Sequence, residues 1–212
     1  MTTLELRVIV YGSRWSDPED ADVRNGSDQR RVEILLNPII PAEFATTREK
    51  RHEWVQGFID TITWDVKHNR KWCCSFCTED ARETYWMKST WMHLTPPRMV
   101  CYVYNVCDLG PGPCSEKLCE IEAEFARLSN AAPTGVSARR SPDEGYNWPM
   151  SASCAHCHDE APSSLANLKK CSSCELTRYC RSVAIKIILL LANSALQRQM
   201  STNRLEPTQN LL

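Results

Sequence analysis

The chain has 212 residues, enough for one ordinary domain and a small appendage. Its 25 basic and 26 acidic residues give a formal net charge of -1, so charge provides no general attraction to nucleic acid or anionic lipid. Twelve cysteines and no signal-peptide pattern at the N-terminus predict reduced thiols and a cytoplasmic and/or nuclear location, where paired cysteines indicate metal ligands first.

Two strands are predicted in the first forty residues. Residues 4–11 (LELRVIVY) are β-branched and aromatic with partial alternation, which is typical of a strand. Residues 12–29 form a polar loop, and RRVEILLNPII then predicts a second strand. That strand is expected to end near Pro38, because proline has no N–H to donate to a sheet ladder.

A helix is predicted over residues 46–69. Thr46 and Glu49 have the spacing of a capping box, in which the two side chains satisfy backbone N–H groups at a helix N-terminus. Apolar residues then recur every four positions and predict one face of a core helix. The face consists of Trp54, Phe58, Ile62 and Val66.

Residues 71–108 are rich in aromatic residues and cysteines and predict a small sheet of two or three strands. Because strand side chains alternate, the stretch RMVCYVYNVC is expected to have two faces. One face consists of Val100, Tyr102, Tyr104 and Val106, and the other of Cys101, Val103, Asn105 and Cys107.

A second helix is predicted over residues 114–128. Pro113 stands just before it, at the first turn where helices tolerate proline best. Its apolar side is expected to consist of Leu118, Ile121, Phe125 and Leu128. Residues 130–153 are then rich in proline, glycine and serine, which indicates a linker.

The first candidate metal site lies in this N-terminal region. Cys74 and Cys77 form a CxxC pair, whose two thiolates can reach one ion from a single tight turn. If the sheet returns Cys107 beside this pair and Cys114 opens the second helix, four sulfurs converge.

Buried thiols that act as small hydrophobic groups are the competing interpretation of this region. Cys101 and Cys119 are expected to be of that kind, and Cys73 is expected to point away from the site. His93 is an alternative ligand.

The second candidate site has a more specific spacing. Two CxxC pairs are separated by thirteen residues, and a fifth cysteine follows after five more. Two such pairs so close together are a strong indication of metal binding. The five predicted ligands are Cys154, Cys157, Cys171, Cys174 and Cys180.

This stretch, CAHCHDEAPSSLANLKKCSSCELTRYC, resembles the first two-thirds of a MYND-type zinc finger, and Tyr179-Cys180 after ELTR is the most specific match. More broadly, the cysteine-rich region from Cys74 onward resembles the N-terminal region of fungal MYND-containing proteins. The resemblance implies two interleaved zinc sites. Cys154, Cys157 and Cys180 would share the first, and Cys171 and Cys174 would belong to the second.

The finger is truncated after its fifth ligand. Ala184 stands where the family has its next cysteine, and no cysteine or histidine follows in residues 181–212. His156 or His158 can substitute as a ligand, or the two CxxC pairs can form a single ribbon-like site.

Residues 183–212 replace the end of the finger and have a roughly helical period. They are interpreted either as an amphipathic helix or as the product of alternative splicing or an unspliced intron. The apolar run at residues 183–192 is too short to span a bilayer, so no membrane partner is expected.

The sequence therefore predicts an α+β chain in four parts. A mixed N-terminal domain (residues 1–129) with a zinc-knuckle sheet and two helices is followed by a linker (130–153), a partial MYND-type finger (154–180) and a divergent helical tail (181–212).

The expected function is Zn²⁺ binding with protein–protein interaction, and the resemblance implies proline-rich partner segments and a role in transcriptional regulation. A non-functional truncated isoform and a nucleic-acid-binding protein are the alternatives, and the charge balance disfavours the latter. No catalytic residues are assigned, because the chain has no Gly-rich cofactor loop and no room for the catalytic domain of MYND-bearing methyltransferases.

Overall fold

The computed structural model describes residues 2–12, 31–77, 79–129, 149–151, 153–154, 168–170 and 178–179. These segments form a small mixed α/β fold with two helices. In chain order the elements are β1 (Thr2–Thr3), β2 (Glu5–Tyr11), β3 (Arg31–Leu36), β4 (Ile39–Ile40), α1 (Arg48–Lys67), β5 (Glu83–Trp91), β6 (Arg98–Val106), α2 (Pro113–Ser129), β7 (Lys169–Lys170) and β8 (Arg178–Tyr179).

The main sheet has four strands in the order β3-β2-β6-β5. β2 pairs antiparallel with β3 and parallel with β6, and β6 pairs antiparallel with β5. Residues 71–108 do form two strands that pair with each other, but these belong to the four-stranded sheet rather than to the small sheet of two or three strands that was predicted. The strands join because Leu6, Val8 and Val10 of β2 stand in register with apolar residues of β6 that face the same core.

Helix α1 begins one residue later than the capping-box prediction. Its N-cap is Thr47, whose hydroxyl accepts a hydrogen bond from the Lys50 backbone N–H at 3.2 Å. The Thr46 hydroxyl instead donates to the Glu43 carbonyl at 3.4 Å. Either threonine has the side chain that a cap requires, so only the backbone path chooses between them.

The buried face of α1 is rotated from the predicted one. Ile62 and Val66 are buried as expected, but Trp54 and Phe58 are only partly buried and stack on each other with ring centroids 5.3 Å apart. A mixture of three- and four-residue steps follows the helical repeat of about 3.6 more closely than steps of four. The buried stripe is accordingly Val55, Ile59, Ile62 and Val66.

Helix α2 begins at Pro113, one residue before the predicted start, and packs on the opposite face of the sheet from α1. Leu118 is buried, and Phe125 meets Tyr102 edge to face with centroids 5.6 Å apart. Leu128 does not belong to this face, because it lies at the margin of the stripe in the last turn and is 71% exposed. The buried Glu122 carboxylate accepts a hydrogen bond from the Tyr85 hydroxyl, which satisfies both groups.

The two faces of β6 follow the predicted alternation until the strand ends. Tyr102 and Tyr104 face the α2 side, while Cys101 and Val103 face the α1 side. Burial raises the pKa of Cys101 to about 12, although Lys88 opposes the shift, so this thiol stays neutral in the core. Cys107 was expected on the Cys101 face, but it lies on the α2 side because strand pairing ends before it.

The end of the expected linker packs against the N-terminal domain. The Ser151 backbone N–H donates to the Ala81 carbonyl at 2.9 Å, and the Ser151 hydroxyl accepts from the Trp72 backbone N–H at 2.8 Å. Two residues later the Ser153 carbonyl lies 3.1 Å from Nδ1 of the buried His68. These contacts anchor the chain directly before Cys154, which is itself buried. The predicted domain boundaries stay a prediction.

Neither of the described helices has the length and apolarity needed to cross a membrane.

Replacing Ser151 with Ala is expected to destabilise the protein by about 1–3 kcal/mol, because the buried Trp72 N–H then loses its acceptor. Urea unfolding measures this change. Thr61→Ala is the matched control, since the Thr61 hydroxyl donates to the Phe58 carbonyl on an exposed helix surface, and a change within about 0.5 kcal/mol is expected. Equal effects of the two substitutions would contradict the anchoring role of Ser151.

Candidate metal centre

Four cysteines from three separate parts of the chain meet at one end of the sheet. The Sγ atoms of Cys74, Cys77, Cys107 and Cys114 all lie within 4.8 Å of one another. Cys74 and Cys77 lie in the connection between α1 and β5, Cys107 directly follows β6, and Cys114 lies in the first turn of α2. This is the convergence expected from the sequence.

Backbone hydrogen bonds fix the turn that carries Cys74 and Cys77. The Cys73 N–H donates to the Gly12 carbonyl at the end of β2 at 2.8 Å, and the Cys74 N–H donates to the Glu79 carbonyl at 2.6 Å. The Ser75 N–H donates to the Asn105 carbonyl on β6 at 2.8 Å. The turn is therefore attached to both central strands of the sheet.

Gly12 and Asn105 position this turn, and the sequence interpretation missed both. Gly12 has a φ of 104°, a left-handed conformation that glycine adopts readily. Asn105 is fully buried, and its side-chain Nδ2 donates to the Tyr11 carbonyl at 2.7 Å, which joins β6 to the end of β2. The sequence signals available for them were a glycine directly after the first predicted strand and an amide on the same face of RMVCYVYNVC as Cys101 and Val103.

Aromatic stacking supports the tip of the same turn. The Phe76 ring lies parallel to the Tyr104 ring with centroids 6.2 Å apart, and Tyr104 stacks on Tyr11 with centroids 4.5 Å apart. Parallel offset rings contribute about 0.5–1.5 kcal/mol per pair beyond the area they bury. The turn is thus held by side chains as well as by its backbone.

The loop between β6 and α2 is also fixed by hydrogen bonds. The Leu109 N–H donates to the Glu83 carboxylate at 2.6 Å, and the Gly110 N–H donates to the Asp108 carboxylate at 2.7 Å. The Ser115 hydroxyl donates to the Gly112 carbonyl at 2.9 Å at the start of α2. Cys107 and Cys114, at the two ends of this loop, are thereby brought to the same point.

The pKa values of Cys74 and Cys107 are shifted in opposite directions. Burial of Cys74 opposes its ionisation, but the backbone N–H groups of Phe76, Cys107 and Cys77 stabilise the thiolate and lower its pKa. Burial and the neighbouring Cys77 and Cys74 sulfurs raise the pKa of Cys107. The protein thus stabilises the thiolate of Cys74 and disfavours the thiolate of the neighbouring Cys107.

Cys114 differs from the electrostatic expectation. The positive end of a helix dipole favours a thiolate there, yet burial and the hydrogen bonds with the Cys77 and Cys74 sulfurs raise the pKa of Cys114 to about 11. The effects of burial and of the neighbouring sulfurs on the pKa of Cys114 are therefore larger than the effect of the helix dipole. A divalent cation reverses this balance, because it coordinates thiolates and displaces their protons.

The distance between two of the four sulfurs matches the edge of a tetrahedral zinc site. Cys77 Sγ and Cys107 Sγ are 3.7 Å apart, well beyond the bond length of about 2.05 Å in a disulfide. A tetrahedron with zinc–sulfur bonds of about 2.3 Å has sulfur–sulfur edges of about 3.8 Å. These four cysteines can therefore hold a metal ion.

The structure describes one of the other predicted ligands, and that one is not part of this cluster. Cys154 is described and fully buried, whereas Cys157, Cys171, Cys174 and Cys180 lie outside the described residues, as do His156 and His158. Near them the structure describes only the antiparallel pairing of β7 with β8, which closes the connection that contains Cys171 and Cys174.

Three further candidates from the first region have clear positions. Cys73 is buried outside the cluster, and His93 is exposed and does not join it. Cys119 was expected to be buried, but it is exposed, because it follows the buried Leu118 on α2 and so faces away from the sheet.

No protein-family model, no curated protein and no solved structure matches this chain. The likeness to MYND-type fingers therefore rests on the cysteine spacing and on Tyr179-Cys180.

Gly12→Ala is expected to destabilise the protein and reduce its metal content, because the new Cβ would overlap the Cys73 carbonyl oxygen and break the attachment of the turn. Measurements are urea unfolding and bound metal per chain.

Gly57→Ala is the matched control for this substitution. Gly57 lies within α1 with no atom near its would-be Cβ, so alanine is expected to stabilise the protein by about 0.4–1 kcal/mol with unchanged metal content. If both alanine variants keep normal metal and stability, Gly12 does not position the site.

Proposed function

We propose that this protein binds zinc through Cys74, Cys77, Cys107 and Cys114. We further propose that the metal stabilises a domain that presents a partial MYND-type finger to protein partners. The observation that carries the proposal is the convergence of four sulfurs from three parts of the chain within 4.8 Å of one another. Four cysteine sulfurs this close together are stabilised when a divalent ion replaces their protons.

The donor set favours zinc. Four thiolates in a tetrahedral arrangement suit zinc or iron, and soft sulfur ligands disfavour magnesium and calcium. A CxxC turn whose first sulfur accepts backbone N–H groups is well suited to a structural zinc, because the N–H groups share the charge of the thiolate. Iron is the alternative that metal analysis distinguishes.

The role of the ion is structural rather than catalytic. Catalytic zinc keeps one position open for water or substrate, whereas four cysteines fill the tetrahedron here. The ion would connect the turn before β5, the end of β6 and the start of α2. Metal bonds would add to the hydrogen bonds and ring stacking that already hold the turn, and they supply folding energy directly.

The interaction role rests on the C-terminal cysteine block. Its likeness to MYND-type fingers implies recognition of short proline-rich segments in transcriptional regulators. Ser151 and Ser153 fasten the chain to the N-terminal domain directly before Cys154, so a finger beginning there stands on a fixed base. A rigid base suits an extended peptide ligand, because less freedom is lost on binding.

Metal analysis tests the zinc site. Purified protein is expected to contain zinc, and Cys74→Ser and Cys114→Ser are each expected to lower the content by one ion per chain. Chelation is expected to lower the free energy of unfolding by about 4 kcal/mol where zinc had exceeded its Kd a thousandfold.

Cys119→Ser is the matched control for the zinc test, since this thiol is exposed on α2 outside the cluster. It should leave zinc content and stability unchanged. A wild-type protein whose stability is indifferent to chelation would refute a structural ion.

The interaction role is tested with fluorescent proline-rich peptides and, in parallel, with DNA and RNA oligonucleotides over a range of salt. Zinc-dependent binding of a peptide subset, weakened by Cys154→Ser and unaffected by Cys119→Ser, is expected. Oligonucleotide binding with a steep salt dependence and no peptide binding would favour the nucleic-acid alternative instead.

A further inference from the structure

We propose that the same four-cysteine cluster is an oxidation site, at which a hydroperoxide joins Cys77 and Cys107 in a disulfide and expels the metal. The inference rests on the proposed metal binding. It adds a reversible chemical modification to a site that would otherwise be purely structural.

Exposure singles out this pair. Cys77 is exposed and Cys107 is partly exposed, while Cys74 and Cys114 are buried. Cysteine oxidation follows the accessibility of the sulfur, so peroxide reaches the outer two before the inner two. The outer two are also 3.7 Å apart, within reach of direct pairing after a small movement.

The local backbone permits this movement. Cys77 lies on a turn, and Cys107 lies just beyond the last residue of β6, so neither belongs to a helix or strand. Cys114 is held within α2, and the Cys74 N–H is held by the Glu79 carbonyl at 2.6 Å. The disulfide can thus form between two ligands that lie outside the helices and strands.

The chemistry balances with hydrogen peroxide as the oxidant. The Cys77 thiolate attacks one peroxide oxygen, the O–O bond breaks, and a sulfenic acid forms as hydroxide leaves and takes a proton. The Cys107 thiolate then attacks the sulfenic sulfur, the S–S bond forms, and a second hydroxide leaves and takes a proton. Two thiolates, one peroxide and two protons become one disulfide and two waters.

Loss of the ion follows from the change in charge. A disulfide sulfur is neutral and bridged, so the ion keeps only two thiolate ligands and the rest of its shell passes to water. The turn before β5 and the loop before α2 then lose their connection through the metal. A dithiol reductant reverses the step by exchange and restores both thiolates.

The experiment treats zinc-loaded full-length protein with hydrogen peroxide, follows released zinc with a chromogenic chelator, and maps disulfides by mass spectrometry. The relevant tryptic peptides are residues 72–82 and 99–117, each of which carries three cysteines. Fragment ions locate the bond, and cleavage before Asp108 separates Cys107 from Cys114. A Cys77–Cys107 bond that forms together with zinc release, and that dithiothreitol reverses, is expected.

Two variants sharpen the result. Cys77→Ser is expected to abolish the cross-link between the two peptides, while Cys119→Ser should give the wild-type cross-link and the wild-type release of zinc. Mapping on the wild-type protein does not depend on the folding of any variant. A bond between Cys74 and Cys77, or sulfinic acid without any disulfide in the cluster, would overturn the proposal.

The outcome also separates this inference from the zinc proposal. If the purified protein holds no metal, the zinc proposal is wrong. The oxidation proposal is then tested only by which cysteines form a disulfide. A Cys77–Cys107 bond then still supports oxidation at this pair, and any other pairing rejects it.

Discussion

The parallel pairing of β2 with β6 is the constraint on which the rest of the described structure depends. It places an N-terminal strand in the middle of the sheet, so that Leu6, Val8 and Val10 complete a core that also includes residues of β6 and α1. It also brings the end of β2 beside the cysteine turn, where the Gly12 carbonyl accepts the Cys73 N–H. A slip of one residue in this register would turn every core side chain of β2 to the opposite face.

A second consequence of this pairing is that the sulfurs of four cysteines lie close together at one end of the sheet. The protein stabilises the Cys74 thiolate with backbone N–H groups, yet disfavours ionisation of Cys107 and Cys114 by burial and by the neighbouring sulfurs. Without a cation, ionising several of these thiols is unfavourable. A bound cation makes their ionisation favourable. The electrostatics of the cluster and the closeness of its four sulfurs thus support the same proposal, and the exposed position of Cys77 leaves the cluster open to oxidants.

The fold also connects the two cysteine blocks of the sequence. The residues before Cys154 are held by Trp72, Ala81 and His68, close in sequence to the Cys74–Cys77 turn. Trp72 precedes that turn directly, so the same short stretch of chain supports both the N-terminal cluster and the start of the C-terminal block. A partner bound at the proposed finger would therefore be carried by the same core that the proposed ion would stabilise.

Local periodicity and spacing were sufficient to predict both long helices, the strands of the sheet and the four cysteines that converge. The helices and strands depend on residues close in sequence or on the alternation of a single strand, whereas the convergence of the cysteines also requires β6 to return Cys107 to the turn that carries Cys74 and Cys77. Only the tertiary structure decided the strand order, the rotated face of α1, the exposure of Leu128 and Cys119, and the side on which Cys107 lies. These depend on which distant segments compete for the same buried surface, and that competition among contacts far apart in the chain leaves no periodic signal in the sequence.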